Sequence, residues 1–175
     1  MVGPRPRDEQ GADATDEFGT RPESDRYTAA TFLSALVPTA LARRAITVSL
    51  ETTRTVYERG DPVELTVEFK NRSPLPVSIP TPRRRRWGWT FDGELEATDE
   101  RLFTRERPST FEFHGGERKR ATVTWNGRLK RTTDDRADTR YESVLPDAGE
   151  YELRAFVATH NGRYQPSDST TIRLE

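Results

Sequence analysis

Residues 46–175 are predicted to form an all-β sandwich, preceded by a short helix and a disordered acidic tail. Three observations predict it. Apolar residues recur at period two along several short runs after Ile46, turn-forming Gly, Pro, Asn and Asp separate those runs, and no helical period appears beyond residue 45. Short alternating strands punctuated in this way are the pattern of a sandwich or barrel. The 175 residues are 32% hydrophobic and 33% charged, which allows one compact core with polar appendages.

Residues 1–27 carry seven acids against four arginines with no periodicity, and read as the disordered tail. Residues 28–45 read as a short amphipathic helix. Phe32, Leu33, Leu36, Val37, Ala40 and Leu41 share helical spacing, Thr28 is a plausible N-cap, and Pro38 should break the helix near Val37. The helix is expected to pack on the domain, with a membrane-surface or partner-binding role as the alternative. The segment Ala29–Ala42 is too short to span a bilayer, although read from a start near Tyr27 it would look like an export signal.

From Ile46 the strands follow in order. Ile46, Val48 and Leu50 alternate with polar residues, as do Val63, Leu65, Val67 and Phe69 after the turn Glu58–Pro62. Val77 and Ile79 form a short strand that Pro76 and Pro80 confine to an edge. Trp87, Trp89 and Phe91 share one face before Asp92-Gly93, a strong hairpin signal. A three-residue closure is preferred there, because it sets Phe91 against Leu95 and Trp89 against Ala97 and keeps apolar residues together. Phe111 and Phe113, then Ala121, Val123 and Trp125, continue the alternation. Residues 130–140 read as a polar loop, and Tyr151, Leu153, Ala155 and Val157, then Ile172 and Leu174, close the chain. Seven to nine strands result.

The inventory is poor in catalytic groups. Without cysteine there are no disulfides, thiolate nucleophiles or cysteine metal sites. His114 and His160 stand beside glycine in predicted turns and lack metal-ligand spacing. Asp134, Asp135 and Asp138 lack the glycine and distal Glu of a calcium loop, and interleaved arginines would neutralise them. Arg59-Gly60-Asp61 matches an adhesion tripeptide, but its place in a tight turn before a strand favours a structural role. No phosphate-binding glycine loop follows any strand. No catalytic residue, metal or cofactor is expected, and a formal net charge of −1 gives no overall pull toward nucleic acid or membrane.

The candidate partner-binding residues are Arg83, Arg84, Arg85, Arg86, Trp87 and Trp89. Basic residues beside aromatics can bind single-stranded nucleic acid, arginine to phosphate and ring to base. Arg and Trp are equally the residues of protein-interface hot spots. A structural reading competes with both. The rings would close the core, Gly88 would permit close approach on the other face, and acids across the hairpin would consume the charge, with Arg86 falling opposite Glu100.

Three stretches carry a resemblance. They are Tyr57-x-x-Gly60-Asp61-Pro62-Val63 through Asn71-x-Ser73-x-x-Pro76-Val77, Gly116-Glu117 with Val123-x-Trp125-x-Gly127, and Leu145-Pro146-x-x-Gly149-x-Tyr151-x-Leu153-x-Ala155. Over residues 46–160 the chain resembles the intracellular proteinase inhibitor (BsuPI-like) domain, and small haloarchaeal proteins carrying such a domain. The resemblance implies an immunoglobulin-like antiparallel β-sandwich, a cytoplasmic setting and a protein partner, in particular a protease. It supplies no inhibitory residue. Pro80–Arg86, stiffened by Pro80 and Pro82, and the 130–140 loop are the candidate inhibitory loops. The alternatives are single-stranded nucleic-acid binding through Arg83–Trp89 and a structural or assembly domain tethered by residues 1–44.

Overall fold

The computed structural model describes residues 37–82, 84–98, 107–135 and 138–175, with the backbone alone for 133–135 and 138–141. Expectations for the tail and for residues 28–36 lie outside the described residues. Helix α1 (Thr39–Ala45) begins directly after Pro38, whose carbonyl accepts the first hydrogen bonds, from Leu41 and Ala42. Proline lacks only an N–H, which a helix start does not need. The helix passes straight into strand β1 at Ile46, and buries Ala42.

Two sheets face each other, the first wholly antiparallel and the second antiparallel but for one edge pair. The first has the order β1-β3-β8, with β1 Ile46–Thr52, β3 Val63–Asn71 and β8 Arg118–Trp125. Its register sets Leu50 beside Val67 and Val67 beside Ala121. The second has the order β2-β12-β11-β5-β6, built from β2 Val56–Tyr57, β5 Trp87–Phe91, β6 Glu94–Leu95, β11 Gly149–Val157 and β12 Ser167–Leu174. Within it β2 runs parallel to β12, and the other pairs are antiparallel. Chain order and strand order together give the immunoglobulin-like sandwich, with β1, β3 and β8 as strands A, B and E, and β5, β11 and β12 as C, F and G. A separate ribbon of β4 (Val77–Thr81) and β7 (Ser109–Phe113) packs on the core through Val77, Ile79, Phe111 and Phe113.

The alternating faces meet as the sequence predicts. Val63, Leu65, Val67 and Phe69 are sealed against Trp89, Phe91, Leu153, Ala155, Val157, Ile172 and Leu174. Aromatic contacts tie the layers. Phe91 lies 4.5 Å from Trp125 and 4.6 Å from Tyr151, and Phe69 lies 5.4 Å from Phe111. The Tyr151 hydroxyl donates to the Asp147 carbonyl at 2.9 Å, the tyrosine corner of immunoglobulin-like strand F.

Asn71, 0% exposed at the end of β3, joins three segments. Its Nδ2 donates to the carbonyls of Leu75 and His114, both at 2.8 Å, and its Oδ1 accepts the Ser73 N–H at 2.9 Å. Backbone bonds reinforce the junction, from Asn71 to Glu117 and from Gly116 to Ser73. Gly115 fits because a Cβ there would lie 2.0 Å from the Pro74 carbonyl oxygen.

Two expectations are corrected. The hairpin after β5 closes with two residues, not three, because Thr90 pairs with Leu95 and Phe91 with Glu94. Asp92 and Gly93 both have positive φ (47° and 85°), the turn whose twist matches the strands. Ala97 still reaches the core, at 1% exposure, because Glu96 and Ala97 form a second left-handed turn (φ 52° and 55°). The polar loop at 130–140 is instead an antiparallel ribbon, β9 (Leu129–Asp135) with β10 (Asp138–Val144). A ribbon whose apolar residues do not alternate shows no period-two signal, and its β-branched Thr132, Thr133 and Thr139 were the available clue. With β2, these strands account for the excess over seven to nine.

Replacing Asn71 by Ala should destabilise the domain by about 2–4 kcal/mol, since it removes three hydrogen bonds made by a fully buried side-chain amide. Tyr151→Phe removes one exposed-side bond and should cost only about 0.5–1.5 kcal/mol. Urea unfolding of the two variants beside the wild type checks both the values and their order.

Candidate functional site

The basic-aromatic segment is divided by the strand it enters. In β5, Trp89 is 5% exposed and lies 6.3 Å from Trp125, while Trp87 packs half-buried 5.7 Å from Phe69. Both rings therefore belong to the core face, as the alternation required. Gly88 faces outward beneath Phe156, its register partner, and a Cβ there would lie 3.0 Å from Phe156 Cζ. Phe156 occupies the space that the missing side chain leaves.

The arginines have separate fates. Arg85 folds back along the outer face, where Nη1 meets Glu96 Oε1 at 2.7 Å and Nη2 meets Oε2 at 3.1 Å. Arg86 is half-buried and its carbonyl accepts the Ala158 N–H at 2.9 Å. Arg84 is exposed. Arg83 lies outside the described residues, as does Glu100, the expected partner of Arg86. Neutralisation across the hairpin does occur, but through Arg85 and Glu96. The left-handed turn at Glu96, which follows the two-residue hairpin, is what the sequence reading missed.

The registers set this segment at one end of the sandwich. The starts of β5, β8 and β12 and the ends of β3 and β11 all lie there. So do α1, whose Ala45 carbonyl accepts the Arg72 N–H, and the connections 72–76, 114–117 and 158–166. In variable immunoglobulin domains the loops of one sandwich end form the binding surface. Here that end exposes Leu41 (56%), Leu75 (50%) and Tyr164 (59%). The sequence reading did not pick out these three, since a single apolar residue in a turn carries no periodic signal.

The other sequence candidates resolve locally. His114 and His160 are exposed in turns, and their carbonyls accept from Glu117 and Arg163. Arg59 donates from Nε to the Pro146 carbonyl at 2.8 Å, and Gly60 has φ 89°, so the adhesion-like tripeptide braces the turn before β3. The side chains of Asp134, Asp135 and Asp138 lie outside the described set. Among the described residues no group of three metal-type side chains converges, and no helix is long and apolar enough to cross a membrane.

Residues 34–175 match DUF7974, a family of unknown function, and the chain belongs to that family. No curated protein matches it. Solved structures similar to it include a CARDB domain from Pyrococcus furiosus, at 14% identity and TM-score 0.44, covering 74% of this chain and 94% of that one. The sporulation control protein Spo0M of Bacillus subtilis matches at 17% identity and TM-score 0.44, over 75% of this chain and 49% of Spo0M. A β-glucosidase of Listeria innocua matches at 11% identity and TM-score 0.40, over 74% of this chain but 16% of the enzyme. At these TM-scores the likenesses carry no functional argument.

With both tryptophans turned inward, single-stranded oligonucleotide at low salt should leave their fluorescence unchanged. A salt-sensitive quench would restore the nucleic-acid reading. A double-mutant cycle of Arg85→Ala and Glu96→Ala should give a coupling of only about 0.2–1 kcal/mol, because the pair is partly solvated.

Proposed function

We propose that the chain is a non-enzymatic protein-binding module that presents Arg84 on a braced segment, acting as an inhibitor of an arginine-specific intracellular protease. The observation that carries this reading is the contrast between Arg84 and its neighbours. Thr81 is buried in the β4–β7 ribbon, Arg85 is held by Glu96, and Arg86 is hydrogen-bonded to Ala158, while Arg84 is exposed. A segment braced on both sides loses little entropy on binding, which is what an inhibitory loop needs. The protease target and the cytoplasmic setting are what the BsuPI-like resemblance implies. Leu75 and Tyr164 expose apolar area at the same end of the sandwich.

Titration against a protease with an acidic specificity pocket tests the proposal. Inhibition is expected, weakened about 30-fold or more in Arg84→Ala, the equivalent of about 2 kcal/mol. If activity is unaffected and the chain is cut after Arg84, the inhibitor reading falls. Co-purification with a partner that is lost in Arg84→Ala and Tyr164→Ala would then be required for the module reading to stand.

A further inference from the structure

The end of the sandwich that carries Arg84 is strongly basic. Segments 39–45, 72–76, 114–117 and 158–166, together with Arg84, Arg85 and Arg86, hold seven arginines against two carboxylates, Glu117 and the Glu96 that Arg85 meets at 2.7 Å. Lys119 lies 2.9 Å from Glu117, so this carboxylate offers the arginines little. Among the described residues, Arg44, Arg72, Arg84, Arg86 and Arg163 form no ion pair. Arg43 is buried in α1, and its Nε has no hydrogen-bond partner among the described residues. The turns at the opposite end, 53–55, 58–62, 92–93, 126–128 and 145–148, are nearly balanced, with four carboxylates against three arginines. Among the described turns and connections, one end of the sandwich is therefore basic and the other nearly balanced.

We propose that this end is a receptor for an acidic, extended polypeptide bearing one aromatic side chain, and that residues 8–20 of this same chain are its occupant. The inference rests on the reading of this end as the binding surface, and does not depend on a protease. Charge complementarity chooses the occupant. Residues 8–20 contain Asp8, Glu9, Asp13, Asp16 and Glu17, no basic residue, and Phe18 as the one aromatic. Carboxylates can take the unpaired guanidinium groups in bidentate fashion. Phe18 matches the apolar exposure of Leu41, Leu75 and Tyr164. Connectivity permits the contact. The described chain begins at Val37, next to α1 at the basic end, and the 17 residues back to Thr20 span up to about 55 Å. That exceeds the roughly 30 Å length of a nine-residue strand such as β3. A ligand on such a leash is present at roughly millimolar effective concentration, so modest intrinsic affinity is enough to hold it. An external partner must then displace the segment, and competes best by being acidic itself.

The absence of cysteine makes the test direct, because Ala14→Cys in the full chain takes a single spin label. At about 50 mM salt the amide signals of Leu75, Arg163 and Tyr164 should lose most of their intensity, while Gly93 and Asp147 keep theirs. The loss should disappear at about 1 M salt, where the screening length is about 3 Å. It should also disappear when Arg72, Arg84 and Arg163, all exposed, are changed to Glu, and when Asp13, Asp16 and Glu17 are changed to Asn, Asn and Gln. Unbroadened Leu75 and Tyr164 signals at low salt, or broadening indifferent to the arginine reversals, overturn the inference. Protease or partner binding lost in Arg84→Ala while the label reports no contact would leave the proposed function intact and remove only the internal ligand.

Discussion

The junction at Asn71 organises the end of the molecule on which the candidate surface sits. One buried side-chain amide satisfies two carbonyls and accepts one N–H, so the end of β3, the 72–76 turn and the turn before β8 share a single anchor. Both arms of the β4–β7 ribbon leave from this point. The ribbon's far end, Thr81, opens the path to Arg84. If the amide were lost, the Leu75 carbonyl and the Ser73 N–H would lose this partner, and the His114 carbonyl would keep only its bond from the Glu117 N–H. On the other side of Arg84, Arg85 and Arg86 are held by Glu96 and by the Ala158 N–H.

Beyond that anchor, the segment divides aromatic from basic residues by the simplest rule of β structure. Alternation turns Trp87 and Trp89 inward, and the outward Gly88 leaves room for Phe156 and for the returning guanidinium of Arg85. The rings stiffen the strand that follows the arginines, and the Arg85–Glu96 pair fixes the entry to it. Glu96 can reach Arg85 because it sits in a left-handed turn that an ordinary strand would not contain. A strained backbone and an ion pair are therefore coupled at one place, and Ala97 reaches the core through the same turn.

Charge is distributed along the long axis of the sandwich in a way that a net value hides. Seven arginines lie at the end where the strands β5, β8 and β12 begin, and the same end exposes Leu41, Leu75 and Tyr164. The acidic residues that balance the chain's total are found largely in the sandwich and ahead of it, with a concentrated run in residues 8–20. In solution such a pair of opposite charges on one chain interacts over roughly a Debye length, so its strength follows ionic strength closely. Binding at this end, whatever the partner, therefore competes with charge that the chain itself carries.

By itself the sequence determined the local, periodic features. Period-two runs named the long strands of the two facing sheets and the turn residues separated them, because each signal comes from neighbours a few residues apart, whereas Pro38, read as a break near Val37, instead opens α1. The inward faces of Trp87, Trp89, Phe69 and Leu153 follow from the same arithmetic. Tertiary structure decided what depends on distant partners. The Asp92-Gly93 closure was settled by turn twist, and burial of Ala97 by a second turn that periodicity cannot register. The β9–β10 ribbon has polar residues on both faces, so only its cross-strand hydrogen bonds reveal it. The candidate site changed most. Sequence adjacency grouped Arg83–Trp89 into one patch, whereas folding sent the rings to the core, paired Arg85 with Glu96, and brought Arg84 to the same end as Leu75 and Tyr164, residues 9 and 80 positions away that no local pattern could connect.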